Sequence, residues 1–189
     1  ELRVLFGRDY YMEEIMGLKF KVSAFSFFQT NVEAVENLYS YAIDLIDDFS
    51  NKTAFDLYCG TGTIGLTMAK DCKELIGVEI IPQAIENAKK NAVLNGIENA
   101  RFICDDASGA AKTLFDEGIR PDVVILDPPR KGCSSDVIDT VVNMNPERVV
   151  YVSCEPSSFA RDLKYFAENG SKGDTKNCTG KCGEDLEIF

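Results

Sequence analysis

From Thr53 onward the chain alternates between two hydrophobic rhythms. Short, largely apolar runs near 53–57, 74–79, 100–104, 122–126 and 147–152 read as buried strands. Between and after them, near 63–71, 82–96, 107–117, 134–144 and 156–169, apolar residues recur at helical spacing. Strand and helix in turn predict a mostly parallel sheet with helices on both faces, an α/β fold. Upstream, 3–6, 10–15 and 18–23 are β-like, with turns at Gly7 and Gly17. A helix over 32–48, with Val35, Leu38, Ala42, Leu45 and Ile46 on one face, forms an extra layer against the sheet. No internal repeat or low-complexity block occurs before residue 170.

The end of the chain breaks the pattern. Residues 170–183 contain four glycines and almost nothing apolar, and only Leu186, Ile188 and Phe189 could pack. The expectation is a mobile stretch or a weakly anchored last strand, so the C-terminal strands are incomplete or divergent. This divides the chain into a hairpin extension (1–31), a core (32–169) and a divergent tail (170–189). The opening Glu1-Leu2-Arg3-Val4-Leu5 reads as a chain entered partway, hence as an excised piece.

Composition narrows the class. A chain of 189 residues with 45% hydrophobic content can bury one sizeable core. No apolar run reaches membrane-spanning length and no signal peptide is evident. Seven cysteines without a regular framework point to reduced thiols and a cytoplasmic protein, with Cys72, Cys104 and Cys133 in packing or incidental roles. Cys178 and Cys182 lack further ligands, and the chain has no histidine, so a zinc site is not expected. The net charge of −11 argues against autonomous nucleic-acid binding, because phosphate affinity depends on clustered Lys and Arg. Basic residues are scattered, apart from Lys89-Lys90 and Arg130-Lys131, so this chain alone should bind polyanions weakly.

The chemistry begins at Asp56-Leu57-Tyr58-Cys59-Gly60-Thr61-Gly62-Thr63-Ile64-Gly65, which has the G-x-G-x-x-G spacing. Glycines there permit close backbone approach, and Glu79, ending the next strand, can take both hydroxyls of a ribose. The spacing is shared by dinucleotide dehydrogenases and methyl-donor enzymes, and it also occurs in purely structural turns. Two acids favour S-adenosyl-L-methionine. Asp56 precedes the glycines, where it can face the cationic methionine end, and Asp106 follows the third strand, where it can accept from the adenine amino group. A dinucleotide pyrophosphate over that helix N-terminus would be ill served by an acid just before the turn.

Two further strand ends carry reactive groups. The run 123–126 ends on Asp127-Pro128-Pro129-Arg130, where the prolines hold Asp127 extended and make a rigid rim against which a flat base can lie. Arg130 can meet a phosphate, a base or a surface acid. The run 149–152 ends on Ser153-Cys154-Glu155-Pro156. A thiolate is a soft nucleophile for a conjugated double bond, and a helix opened by Pro156 puts its positive end near the sulfur. The inert alternative is a packed cysteine at a strand end.

Together these stretches resemble the catalytic domain of the RNA uracil-5-methyltransferases, which act on transfer or ribosomal RNA. The matching segments are Ser26-Phe27-Phe28-Gln29-Thr30-Asn31, 56–65, Gly77-Val78-Glu79, Asp127-Pro128-Pro129-Arg130-Lys131-Gly132, Ser153-Cys154-Glu155-Pro156 and Phe159-Ala160-Arg161-Asp162-Leu163, spread over roughly 9–169. The resemblance implies a Rossmann-like methyltransferase fold that binds S-adenosyl-L-methionine and releases S-adenosylhomocysteine. It implies donor contacts from Gln29, Tyr58, Glu79 and Asp127, with Thr63 where some members carry Asn. It also implies that Cys154 is the nucleophile: its sulfur adds to C6 of a uracil, C5 becomes carbanion-like and takes the methyl group, and loss of the C5 proton then expels the thiolate. The base must leave its stack to reach the thiol.

The chain departs from the family pattern in three places. It lacks the N-terminal RNA-binding barrel and a further domain, so a missing RNA-binding domain is expected in the full-length protein. It also lacks the terminal Phe-Pro and His-x-Glu-like segment whose Glu is the expected proton-removing base; Glu184 and Glu187 lie near that place and receive no role. Three competing readings remain: a donor-binding remnant without turnover, an amino-group methyltransferase acting on adenine or guanine, which needs no cysteine, and a dehydrogenase.

Overall fold

The computed structural model describes residues 6–23, 28, 31–44, 46, 48–169 and 186–188. Two antiparallel strands, β1 (Tyr10–Ile15) and β2 (Leu18–Ser23), form the opening hairpin, turning at Met16 and Gly17 with positive φ. Helix α1 (Val32–Asp44) follows. The core then runs β3 (Thr53–Asp56), α2 (Thr63–Ala69), β4 (Glu74–Glu79), α3 (Pro82–Leu94), β5 (Ala100–Cys104), α4 (Ala107–Asp116), β6 (Val123–Leu126), α5 (Ser135–Met144), β7 (Arg148–Tyr151) and α6 (Pro156–Asn169). A short strand, β8 (Leu186–Ile188), pairs parallel with β7.

The sheet has the order β5-β4-β3-β6-β7-β8, and every pairing in it is parallel. The order reverses direction beside β3, so the C-terminal ends of β3 and β6 frame the crevice where open α/β sheets bind ligands. Alternate residues of each strand feed two cores. Ala54, Leu75, Val123, Ile125 and Val150 pack with the hairpin and α1 to α3, whereas Phe55, Ile76, Val124, Leu126 and Tyr151 pack with α4 to α6. Both faces are therefore covered, which is why the strands read as near-continuous apolar runs.

Helices α5 and α6 end where the hydrophobic rhythm predicts, at 144 and 169, whereas α1 to α3 end earlier. The pattern places the end of α2 at residue 71, but the Asn99 side-chain amide takes the Ala69 carbonyl at 2.7 Å and the chain turns there. For α3, predicted to reach 96, Ile97 N–H bonds back to Ala92 and Gly96 adopts φ +65°, a left-handed exit at Leu94. Helix α1 stops at Asp44, and Ile46 is buried beyond it; Leu45 lies outside the described residues. The predicted strand at 3–6 also lies outside them, except for Phe6, and the tail is described only at β8.

The hairpin docks on α3 through amides rather than through another strand. Asn95 accepts from Lys19 N–H at 2.8 Å and donates to Lys19 O at 2.7 Å. Asn91 accepts from Lys21 N–H at 2.8 Å, and Asn87 donates to Ser23 Oγ at 3.0 Å. Spaced four apart, these side chains lie along one face of α3 and its C-cap; Asn91 and Asn95 satisfy the backbone of the facing strand edge, and Asn87 donates to a side-chain hydroxyl.

Candidate active site

Strand β3 delivers Asp56 to the crevice, and the Gly-rich turn folds over it. Gly60 and Gly62 adopt φ +52° and +85°, values that disfavour any side chain. At the N-terminus of α2, Gly65 N–H donates to Asp56 Oδ2 at 3.2 Å; a Cβ on Gly65 would stand 3.0 Å from that oxygen. Glu79, at the end of β4, accepts from Gly60 N–H (3.1 Å) on one oxygen and from Ile81 N–H (3.0 Å) on the other. Each oxygen keeps further acceptor capacity, and the next residues, Ile80 and Ile81, expose their apolar side chains.

Asp56 is 1% exposed, and its second oxygen, Oδ1, has no hydrogen-bond partner; among the described residues, Thr61 Oγ1 is the other buried side-chain oxygen in that state. Burial, reinforced by the nearby Asp127 charge, pushes the Asp56 carboxyl up to about 7, against the Tyr58 and Gly65 amides, which pull it down. Burial likewise pushes Asp127 up to about 6. Two desolvated acids and an orphaned oxygen beside a glycine cradle form a wall suited to a cationic group. Tyr39 of α1 closes the wall: its hydroxyl reaches Thr63 Oγ1 at 3.3 Å, and burial pushes it up to about 12.

The other predicted donor residues divide. Tyr58 packs its ring toward the α4–α6 core and lies against Cys133; burial first, then that thiol, raises its hydroxyl. Asp106 caps α4, its Oδ1 accepting from Ser108 and Gly109 N–H, both at 3.0 Å. Gln29 lies outside the described residues; in the same motif Asn31 Oδ1 accepts Ala34 N–H at 3.1 Å in the first turn of α1.

Cys154 leaves the sheet at the same edge. Pairing of β6 with β7 puts Leu126 opposite Tyr151, and Val152 N–H continues the ladder to Leu126 O at 2.8 Å. Asp127 and Cys154 thus emerge from neighbouring strand ends, and the Cys154 side chain is exposed. Its turn is braced locally: Ser153 Oγ accepts from Glu155 N–H at 3.2 Å, and Ser158 Oγ donates to Glu155 O at 3.1 Å. Arg130 and Lys131 are exposed on the facing loop, Cys72 and Cys133 are buried, and Cys104 is exposed. Among the described residues, no group of three Cys, Asp or Glu could hold a metal, and no helix is long and apolar enough to cross a membrane.

The profile of the tRNA (uracil-5-)-methyltransferases matches residues 2–171. The chain belongs to this family. An uncharacterized RNA methyltransferase of Caldanaerobacter subterraneus subsp. tengcongensis is 52% identical over 170 residues, 90% of this chain and 37% of that protein. Another from Clostridium tetani is 46% identical, again over 90% of this chain and 37% of the relative. Among solved structures, the Pyrococcus abyssi tRNA (uracil-54, C5)-methyltransferase in complex with S-adenosyl-L-homocysteine superposes with a TM-score of 0.70 at 30% identity, covering 85% of this chain and 38% of that one. A SAM-dependent methyltransferase from Agrobacterium tumefaciens shares the fold at TM-score 0.68 and 21% identity, over 89% of this chain and 60% of its own. This member of the uracil-5-methyltransferase family therefore spans little more than a third of the curated relatives' length. Its doubly covered parallel sheet is the one the strand-helix rhythm predicts, and its fold is the methyltransferase fold that the resemblance implies.

Three residues that matter to the crevice or its surroundings escape a motif reading. Tyr39 could have been found from the Val35-Tyr39-Ala42-Ile46 stripe on α1. Asn91, which bridges the hairpin to Thr61 O at 3.1 Å, belongs to a visible Asn87-Asn91-Asn95 repeat. Asp162 lies in a matching segment, but no spacing rule announces its partners.

Proposed function

We propose that this chain is the donor-binding and nucleophile-bearing part of an S-adenosyl-L-methionine-dependent RNA methyltransferase that forms 5-methyluridine in tRNA or rRNA. The observation that carries this reading is the unpartnered Oδ1 of Asp56, buried beside Asp127 under the glycine turn. A buried acid with a free lone pair calls for a cation, and the amino-acid end of the donor supplies one. Bound there, the donor supplies an electrophilic methyl group. Glu79 takes the ribose hydroxyls with its remaining lone pairs, Ile80 and Ile81 offer an apolar rest for the adenine, and Asp106 reaches its amino group. Gln29, Tyr58 and Asp127 complete the donor contacts by family resemblance.

Cys154 then does the work on the base. Its sulfur adds to C6 of the uracil, moving electron density to C5, which accepts the methyl group. Departure of the C5 proton to a base and of the thiolate from C6 restores the ring. Covalent addition is needed because C5 of uracil is too weakly nucleophilic on its own. RNA is gripped mainly outside this chain, since a net charge of −11 opposes phosphate contact.

Calorimetric titration with S-adenosylhomocysteine, run beside Glu79→Ala, tests the donor site. Saturable binding that the substitution weakens is expected, and no binding to a folded chain would sink the reading. The covalent step is tested with RNA carrying 5-fluorouridine, whose fluorine cannot leave as the proton does. A Cys154-linked adduct is expected. Methyl transfer that survives alkylation of Cys154 would point instead to an amino-group methyltransferase.

A further inference from the structure

Asp162 is 1% exposed on α6, outside the donor crevice, yet it collects four hydrogen bonds. Its Oδ2 accepts from Cys133 N–H at 2.7 Å and from the Tyr151 hydroxyl at 2.6 Å. Its Oδ1 accepts from Arg161 Nε at 2.9 Å and Nη2 at 2.7 Å. The same Arg161 Nη2 donates to Lys131 O at 2.7 Å, holding the loop that follows Asp127-Pro128-Pro129-Arg130 from its carbonyl side. Gly132 lies between these contacts at φ +78°, where a Cβ would collide with Asp162 Oδ2.

The geometry joins two reactive segments at one ion pair, whose carboxylate is buried and whose guanidinium is exposed. Tyr151 is the last residue of β7, three before Cys154, and α6 begins two residues after the cysteine. Lys131 and Cys133 close the loop that starts at Asp127. A carboxylate this buried is retained at a desolvation cost that its amide, hydroxyl and guanidinium partners must offset. Four charge-assisted bonds in fixed directions hold backbone positions more tightly than apolar packing would.

We propose that Asp162 and Arg161 form a positioning pair that fixes the Cys154 turn relative to the Asp127–Arg130 rim. The proposal rests on the reading of Cys154 as nucleophile. The pair touches neither donor nor base; it sets where the thiol stands when a base lies on the rim. Asp162→Asn keeps an acceptor for Cys133 and Tyr151 but loses the paired charge, and Arg161→Ala releases the Lys131 carbonyl while leaving α6 intact.

Both variants are compared with wild type by amide hydrogen exchange, S-adenosylhomocysteine titration and the rate of adduct formation on 5-fluorouridine RNA. Exchange should rise in 128–134 and 152–158 but not in the glycine turn, 57–66. Donor affinity should change less than about 3-fold while the adduct rate falls about 10-fold or more, the penalty of a misplaced reacting atom. Exchange that is unchanged in both segments, or that rises throughout the chain, overturns the proposal, as does a parallel loss of donor affinity and adduct rate. Absence of any adduct in wild type would sink the nucleophile reading itself; the exchange pattern then still decides whether the pair fastens the two segments.

Discussion

Burial first, and then the carboxylate of Asp127 just past β6, raise the pKa of Asp56, one strand away at the end of β3. Neighbouring acids held out of water favour a protonated form, and a bound cation reverses that preference.

Stability should therefore fall as pH rises from about 4 to 7. The folded-state value of Asp56, pushed up to about 7, lies above that of the unfolded chain, so the folded protein keeps a proton the unfolded one has lost. That contribution is full below the unfolded pKa and gone above the folded one, a span of up to about 4 kcal/mol for Asp56 alone. Asp127, pushed up to about 6, acts in the same direction. Denaturant titrations across this range should show the decline, and Asp56→Asn should flatten it while weakening the donor. A profile as steep in the variant as in wild type would exclude Asp56 as the source.

Cys154→Ala should abolish the RNA adduct with donor affinity nearly intact. The side chain is exposed and its turn is held by Ser153 and Ser158, so stability should change by no more than about 0.5 kcal/mol. An adduct persisting in this variant, seen by denaturing gel electrophoresis, would remove the cysteine from the mechanism.

Asn91→Ala should destabilise the protein by about 1–3 kcal/mol, because Lys21 N–H and the buried Thr61 carbonyl lose their partner together. Donor affinity should drop as well, since Thr61 belongs to the glycine turn. Thermal unfolding and titration with S-adenosylhomocysteine check the two effects separately; loss of stability with unaltered affinity would confine Asn91 to the hairpin.

Gly132→Ala should cost about 2 kcal/mol or more. A left-handed backbone at φ +78° adds its own strain to the collision with Asp162. Chemical denaturation measures the loss, and a variant as stable as wild type would show that the loop can move aside freely.

The order of elements was legible because both faces of the sheet are covered. Ile76, Val124 and Val150 are fully buried on strands whose neighbours on the other face are buried too, so the strands stand out as apolar runs. Asp56, Glu79, Asp127 and Cys154 could be placed because each ends such a run, where the sheet meets the crevice. The partners of Asp162 could not, since its bonds to Cys133 and Tyr151 depend on how α6 lies over a distant loop. The end of α2 escaped for the same reason: Asn99 stops it from 30 residues away. Asp106 shows a limit of another kind: its place after the third strand did not announce that its carboxylate caps α4.

The clasp between the hairpin and α3 is electrically neutral. In a chain of net charge −11, ion pairs at that seam would loosen with salt and shift with pH. Asn87, Asn91 and Asn95 do neither, so the hairpin and the turn at Thr61 keep their register while Asp56 gains or loses its proton. The protein thus separates what must respond to charge from what must stay indifferent to it.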